Sequence, residues 1–410
     1  MAVSSLVGGV VRVTSSLHEL RGASWDRTHP PPSARRTRHS PVALFVLSFL
    51  VHAFIGLRLL PALPAWGAFA LGAWLFASAL LIPMGLQARR FARPPRADQL
   101  ATAGLFALGL FSSMFVLTLG RDVLLFAAFL ADAGSPALPQ TSARWVPLLA
   151  LGLSVIGLLN TRRTARVKNV DIPITGLPPA LQGFTIAQIS DLHVGPTIRA
   201  SYIQRIVDRV NQLEADAVAI TGDIVDGPVP ELGPHVAPLA GLRARHGSFF
   251  VTGNHEYYAG AGPWLAEVRR LGIRVLLNEH VVIRREDTAL VLAGVTDFMA
   301  HHFDPTHQSD PAAALEGAPA DAGARILLAH QPRSATAAEK AGFDLQISGH
   351  THGGQFFPWI FFVRFQQPFT AGLHRLGGLW VYVSRGTGYW GPPKRVAAPS
   401  EITRLRLVAA

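Results

Sequence analysis

The chain has 410 residues, of which 49% are hydrophobic and 15% charged, with a formal net charge of +11 and no cysteine. The lack of cysteine excludes disulfides, thiolate metal ligands and a cysteine nucleophile. Residues 1–170 hold 17 Lys+Arg against 5 Asp+Glu, whereas residues 171–410 hold 20 against 21. The basic excess therefore lies outside the C-terminal part, and no nucleic-acid partner is expected.

Residues 1–41 are rich in Arg, Ser and Pro and read as a basic disordered tail. Four apolar segments follow within residues 42–160: about Val42–Leu60, Ala65–Leu86, Leu100–Leu119 and Trp145–Leu159. A bilayer span needs about 20 largely apolar residues, which the first three meet and the fourth nearly meets. Val123–Leu130 extends the third span if the chain stays helical past Arg121-Asp122. His52, within the first span, is either a functional group or a packing histidine.

Arginine and lysine concentrate in the tail, in the second connection (Arg89, Arg90, Arg93, Arg96) and in a basic juxtamembrane linker over 161–168 (Arg162, Arg163, Arg166, Lys168). Short cytoplasmic loops are the Lys/Arg-rich ones, so tail and C-terminal domain are expected on the cytoplasmic side of a cell membrane. Arg35-Arg36 resembles a twin-arginine export signal, but the three further spans argue against that reading.

From 169 to 410 the pattern is that of an α/β domain. Apolar strands are predicted at Phe184–Ile189, Ala217–Thr221, Ser248–Thr252, Val281–Arg284, Ala289–Val295, Ile326–Ala329, Leu345–Ser348, Val381–Ser384 and Ile402–Leu407. Helices are predicted at Ile198–Leu213 and Pro263–Leu271.

Five of these strands run directly into polar motifs: Asp191-Leu192-His193, Gly222-Asp223-Ile224-Val225-Asp226, Gly253-Asn254-His255-Glu256, Ala329-His330 and Gly349-His350-Thr351-His352. Sites in open α/β sheets form at these carboxyl ends. Asp191 and His193, like His350 and His352, are two residues apart and share a face if strand geometry continues. Asp223 is a carboxylate able to bridge two ions, Asn254 offers an amide oxygen and His330 an imidazole. His255, beside Asn254, points elsewhere and is free for proton chemistry, and Asp226 is a candidate to orient a histidine. All donors are oxygen or imidazole nitrogen, which suits Mn, Fe or Zn. Two such ions clamp a phosphate ester well.

The motif series D-x-H, G-D-x-x-D, G-N-H-[DE], H and G-H-x-H resembles that of the calcineurin-like metallophosphoesterases. Ser190–His193, Leu328–Pro332 and Gly349–Gln355 are similar to the YkuE-type membrane branch. The resemblance implies a four-layer α/β/β/α sandwich behind a four-helix transmembrane region. It implies two divalent metal ions: Asp191, His193 and His352 on one, Asn254, His330 and His350 on the other, with Asp223 between them. It gives His255 the leaving-group side, with Asp226 as its partner. It implies hydrolysis of a phosphodiester or pyrophosphate, including lipid-linked substrates such as a UDP-diacylglucosamine-type lipid A precursor or a phospholipid. A membrane-tethered nucleotide or general phosphodiesterase is the alternative enzyme, and a metal-dependent sensor or scaffold the non-enzyme alternative.

Three features stay open at this level. Phe356–Phe362 reads either as core or as an apolar lip for membrane or acyl chains. Arg385, Lys394 and Arg395 either meet substrate phosphate or are solvated. His301, His302 and His307 either line the substrate mouth or sit in a solvated loop.

Overall fold

A computed structural model describes residues 41–410; apart from Pro41, the expected basic tail lies outside the described residues. The N-terminal part contains helices α1 (Pro41–Leu59), α2 (Ala65–Leu86), the single turn α3 (Ala88–Phe91), α4 (Arg96–Leu130) and α5 (Leu138–Arg162). α1, α2, α4 and α5 are long and apolar enough to cross a bilayer.

Two helices exceed their predicted spans. α4 runs unbroken through Arg121-Asp122 for 35 residues. Both charges are met by neighbours: Arg58 of α1 donates to Asp122 at 2.7 Å, and Arg121 donates to Ser142 Oγ and Pro139 O of α5. A paired charge no longer forces the helix to end. α5 begins at Leu138 rather than Trp145. His52 donates to Ser48 O at 2.7 Å, accepts from Ser78 Oγ at 3.1 Å and stacks on Phe111, which is the packing-histidine reading.

The expected linker over 161–168 is absorbed by its neighbours. Arg162 ends α5 and Arg166 opens β1 (Arg166–Ile174). The sequence reading missed β1 because it is an edge strand whose outer half is exposed and basic.

One six-stranded sheet has the order β1, β12 (Glu401–Ala409), β2 (Thr185–Ile189), β3 (Ala217–Thr221), β4 (Ser248–Val251), β5 (Arg274–Val275). The other has the order β10 (Gly372–Leu376), β11 (Leu379–Val383), β9 (Leu345–Ser348), β8 (Ala324–Leu328), β7 (Thr288–Gly294), β6 (Glu279–Arg285). β2, β3, β4 and β5 run parallel, as do β11, β9, β8 and β7. Between the sheets lie Ile186, Phe249, Leu292, Ile326, Ile347, Tyr382 and Leu405, all buried. Each fully buried aliphatic side chain contributes about 1.5–3 kcal/mol.

Helices cover the outer faces. α6 (Ala200–Asn211) and α9 (Ala261–Arg270) pack Ile203, Ile206, Val207, Trp264 and Val268 on the first sheet. α10 (Ala335–Ala341) packs Ala335 and Ala338 on the second. The result is the expected α/β/β/α sandwich. The short helices α7 (Val229–Val236), α8 (Asn254–Ala259) and α11 (Trp359–Phe362) belong to connections on its surface.

Candidate metal centre

The strands that carry the motifs end before the motifs do. β2 stops at Ile189 and β9 at Ser348, so strand alternation does not aim Asp191, His193, His350 or His352. Left-handed backbone does. Asp191 (φ 55°), His193 (φ 50°), Asp223 (φ 54°), His350 (φ 72°) and His352 (φ 51°) all lie at positive φ. Each such non-glycine residue costs of order 1 kcal/mol or more and persists where the surroundings over-determine it. Two parallel neighbours supply that determination: Asp191 N donates to Gly222 O, and His193 N to Asp223 O.

Glycines let these turns approach one another. A Cβ on Gly222 would sit 2.7 Å from Nδ1 of His330 and 2.8 Å from Cα of Gly253. One on Gly253 would collide with the Asp223 carboxylate, and one on Gly349 with that of Asp191.

The fold gathers the seven candidate ligands and both candidate catalytic residues around one spot. Asp191, His193 and His352 form one group of donors within 4.8 Å of each other, and Asp223, His330 and His350 a second. His193, Asp226 and His255 form a third. Asp223 Oδ2 links the groups, at 3.1 Å from His330 Nε2, 3.8 Å from His193 Nε2 and 4.0 Å from His255 Nε2. His352 Nε2 lies 3.0 Å from His193 Nε2 and 3.5 Å from Asp191 Oδ1. His350 Nδ1 lies 3.2 Å from His330 Nε2. Asn254 lines the same cavity as His193, Asp223, His350 and His352, and its buried Oδ1 has no hydrogen-bond partner among the described residues. A buried amide oxygen left unpaired is costly, and a cation removes that cost.

The electrostatics fit cations as well. Burial would raise the Asp223 carboxyl, but the facing His330, His255 and His193 rings hold it well below the usual range. Burial lowers the His350 ring to about 3, helped by His330, and pushes His352 well below its ordinary value, helped by His193 and Arg395. His350 and His352 are thus neutral imidazoles beside an ionised carboxylate, the ligand states a divalent ion requires, whereas at His330 burial is outweighed by Asp223 and the ring is held well above its usual range, a proton that a bound cation would displace. Burial raises the Asp191 carboxyl.

His255 behaves differently. Burial lowers it, but Asp223 and Asp226 outweigh that and raise it to about 9. Asp226 is held down to about 2, because His193 and His255 outweigh its burial. The His255 ring also meets His193, Tyr258 and Trp390 edge-on.

Several residues named in the sequence take roles there that the sequence left open or did not assign. Glu256 is fully buried and accepts from the backbone N–H groups of Gly253, Asp223 and Ile224 at 2.7, 3.0 and 2.8 Å. Its position three residues after Gly253 was the available signal. Lys394 and Arg395 are neither solvated nor open to substrate. Both are buried, and Arg395 donates to His352 O at 3.2 Å. Arg385 pairs with Glu401. His307 bonds the Tyr257 hydroxyl, while His301 and His302 are exposed.

The site opens into a cavity of about 520 Å³. It is lined as well by Leu108 and Ser112 of α4 together with Phe356, Trp359 and Val363.

Over residues 184–354 the chain matches the family model described as calcineurin-like phosphoesterase. It is 42% identical over 266 residues to "Transmembrane protein with metallophosphoesterase domain" of Danio rerio, a match covering 63% of this chain and 61% of that protein. It is 37% identical over 264 residues to an uncharacterized metallophosphoesterase of Helicobacter pylori, covering 64% of this chain and 69% of that one. To the uncharacterized metallophosphoesterase YkuE of Bacillus subtilis it is 29% identical, covering 56% and 81% respectively. A two-sheet α/β sandwich with Asp, Asn and His at its strand ends, joined to four apolar helices, defines a membrane-associated metallophosphoesterase. The chain belongs to the calcineurin-like metallophosphoesterase family, and it spans less than two thirds of the length of the Danio rerio protein.

Proposed function

We propose that the chain is a membrane-anchored, binuclear-metal hydrolase of phosphodiester or pyrophosphate bonds in lipid-linked substrates. Asp191, His193 and His352 would hold one ion, Asn254, His330 and His350 the other, and Asp223 would serve both. The observation that carries the reading is Asp223 Oδ2 lying between the imidazoles of His193 and His330, which belong to different donor groups. When bound, a pair of Mn, Fe or Zn ions supplies Lewis acidity toward phosphate oxygens and activates water for attack on phosphorus.

The protein's own residues do the rest. Asp226 fixes the Nδ1 side of both His193 and His255. That leaves Nε2 of His255 facing the cavity; in the metal-free protein burial lowers the ring, but Asp223 and Asp226 outweigh that and raise it to about 9. It stabilises or protonates the leaving oxygen, a contribution of about 10²–10⁴-fold. Phe356, Trp359 and Leu108 offer an apolar surface beside the chemistry, which favours an amphiphilic substrate over a soluble one. The basic second connection and the basic stretch after α5 favour a cytoplasmic catalytic domain, residues 169–410.

The test is turnover of bis-p-nitrophenyl phosphate, UDP-diacylglucosamine and phospholipid by the full chain, with Mn²⁺ and with chelator. Chelator-sensitive hydrolysis favouring the lipids is expected. Chelator-resistant activity overturns the metal reading, and activity on the small diester alone overturns the lipid one.

A further inference from the structure

The loop that follows β11 reaches into the helical bundle. The Lys394 side chain is buried, and its ammonium donates to Gly109 O of α4 at 3.1 Å, to Ser154 Oγ of α5 at 3.1 Å and to Ser113 Oγ of α4. An ammonium has three N–H donors, and each meets an oxygen. Among the described residues no carboxylate pairs with it.

The helices are shaped for this side chain. A Cβ on Gly157 of α5 would stand 2.5 Å from Lys394 Cγ and 3.1 Å from Val396 Cγ2. One on Gly109 would stand 3.2 Å from Pro392 Cβ. The backbone joins in: Arg395 N donates to Gly157 O at 3.1 Å, and Asn160 Nδ2 donates to Arg395 O at 3.0 Å.

The same loop grips the metal centre from its other side. Arg395 is almost fully buried. Its guanidinium donates to the carbonyls of His352 at 3.2 Å, Ala398 at 2.9 Å and Gly388 at 3.0 Å, and Nη2 lies 3.0 Å from His352 Nδ1. Gln355, three residues past His352, donates to Trp390 O at 2.8 Å and accepts from Trp390 N at 2.8 Å. Thr387 N and Gly388 N donate to the carbonyls of Ser190 and Asp191. Trp390 meets the His255 ring.

We propose that Lys394 is a positioning residue that couples the membrane helices to the metal centre. Seated between α4 and α5, it holds the 386–396 loop in place, and through Arg395, Trp390 and Gln355 that loop sets His352 and His255. The proposal rests on reading Asp191, His193 and His352 as metal ligands. Supports standing behind a ligand change metal affinity when lost, typically by about 10–100-fold.

The test uses the full chain in lipid nanodiscs, comparing Lys394→Met and Gly157→Ala with the unaltered protein and with Arg199→Met. The last removes a different bundle–domain contact, the 2.8 Å pair of Arg199 with Asp98. Hydrogen exchange is read at 386–396, at 349–356 and at strand 217–221, and Mn²⁺ affinity by paramagnetic resonance. In Lys394→Met and Gly157→Ala, exchange is expected to rise at both 386–396 and 349–356 but not at 217–221, with Mn²⁺ binding weakened about tenfold. Arg199→Met is expected to leave Mn²⁺ binding unchanged. If Lys394→Met does not accumulate, Gly157→Ala, which adds one methyl group, decides alone. A rise confined to 386–396, or equal weakening by Arg199→Met, overturns the coupling. An unaltered protein that binds none of Mn²⁺, Fe²⁺ and Zn²⁺ overturns the metal-site reading instead, and the exchange at 349–356 still judges the coupling.

Discussion

Oδ1 of Asp226 lies 2.7 Å from Nδ1 of His255. The same oxygen lies 2.8 Å from Nδ1 of His193. One carboxylate therefore holds the Nδ1 side of two rings with different proposed duties, one toward a cation and one toward a leaving group. Its loss is expected to affect both. Asp226→Asn should weaken metal binding about 10–100-fold and also lower turnover of the metal-saturated protein. Titration of metal content alongside kcat separates the two effects, and unchanged metal affinity would remove His193 from the shared arrangement.

His255→Ala deletes only the cavity-facing ring. Metal content is expected to hold while kcat falls about 10²–10⁴-fold. The loss should be smaller for substrates with a good leaving group, such as p-nitrophenolate, which needs little protonation. Equal losses on good and poor leaving groups would argue against a proton at that atom.

Asp223→Asn keeps the shape of the linking residue and removes its charge. Both ions should be lost together, which elemental analysis of the purified variant reads directly. Retention of one full equivalent per chain would mean that Asp223 serves a single ion.

A pH dependence follows for the metal-free protein. His255 is raised from its ordinary 6.5 to about 9: burial lowers it, but Asp223 and Asp226 more than compensate. A raised folded value means that the protonated ring stabilises the fold. That contribution is complete below pH 6.5 and drains away as the pH climbs toward about 9. His330, held well above its usual range by Asp223 against its own burial, acts in the same direction. The melting temperature of chelator-treated protein should fall across this window, and His255→Gln should flatten the fall. A flat profile in the unaltered protein would show that these rings do not carry the charge.

The cavity wall supplies a test of substrate choice. Leu108→Trp adds bulk inside a space of about 520 Å³ while leaving every candidate ligand unaltered. Turnover of lipid-linked substrate is expected to drop at least tenfold, with hydrolysis of a small aryl diester changed less than threefold. Parallel losses on both would place Leu108 in structural support rather than in a binding wall.

Much of the domain was legible because apolar strands ending in Gly, Asp, Asn or His leave a strong pattern. β3 and β9 fall where the hydrophobic runs place them, and all five motifs sit at strand ends. The presentation of the donors was not legible. Period-two spacing predicted a shared strand face for Asp191 and His193, whereas left-handed turns aim them, and no propensity reports a positive φ at aspartate or histidine. β1 was hidden because an exposed basic edge strand resembles a linker. Lys394 and Arg395 resembled solvated charges because their acceptors are carbonyls and serines more than 230 residues away in sequence from Lys394, or backbone oxygens nearby. Distant pairings of this kind leave no local signature.

Leu108 and Ser112 come from a helix that contributes no candidate ligand, yet they wall the same chamber as His255 and Asn254. Part of the proposed substrate wall and the residues proposed for hydrolysis thus come from stretches of chain about 145 residues apart. Mutations can remodel the helix wall, and with it the choice of substrate, while the loops that perform hydrolysis stay untouched. Relatives that keep every donor can therefore diverge in what they consume, and removing the helices would take away part of that wall together with the seat of Lys394.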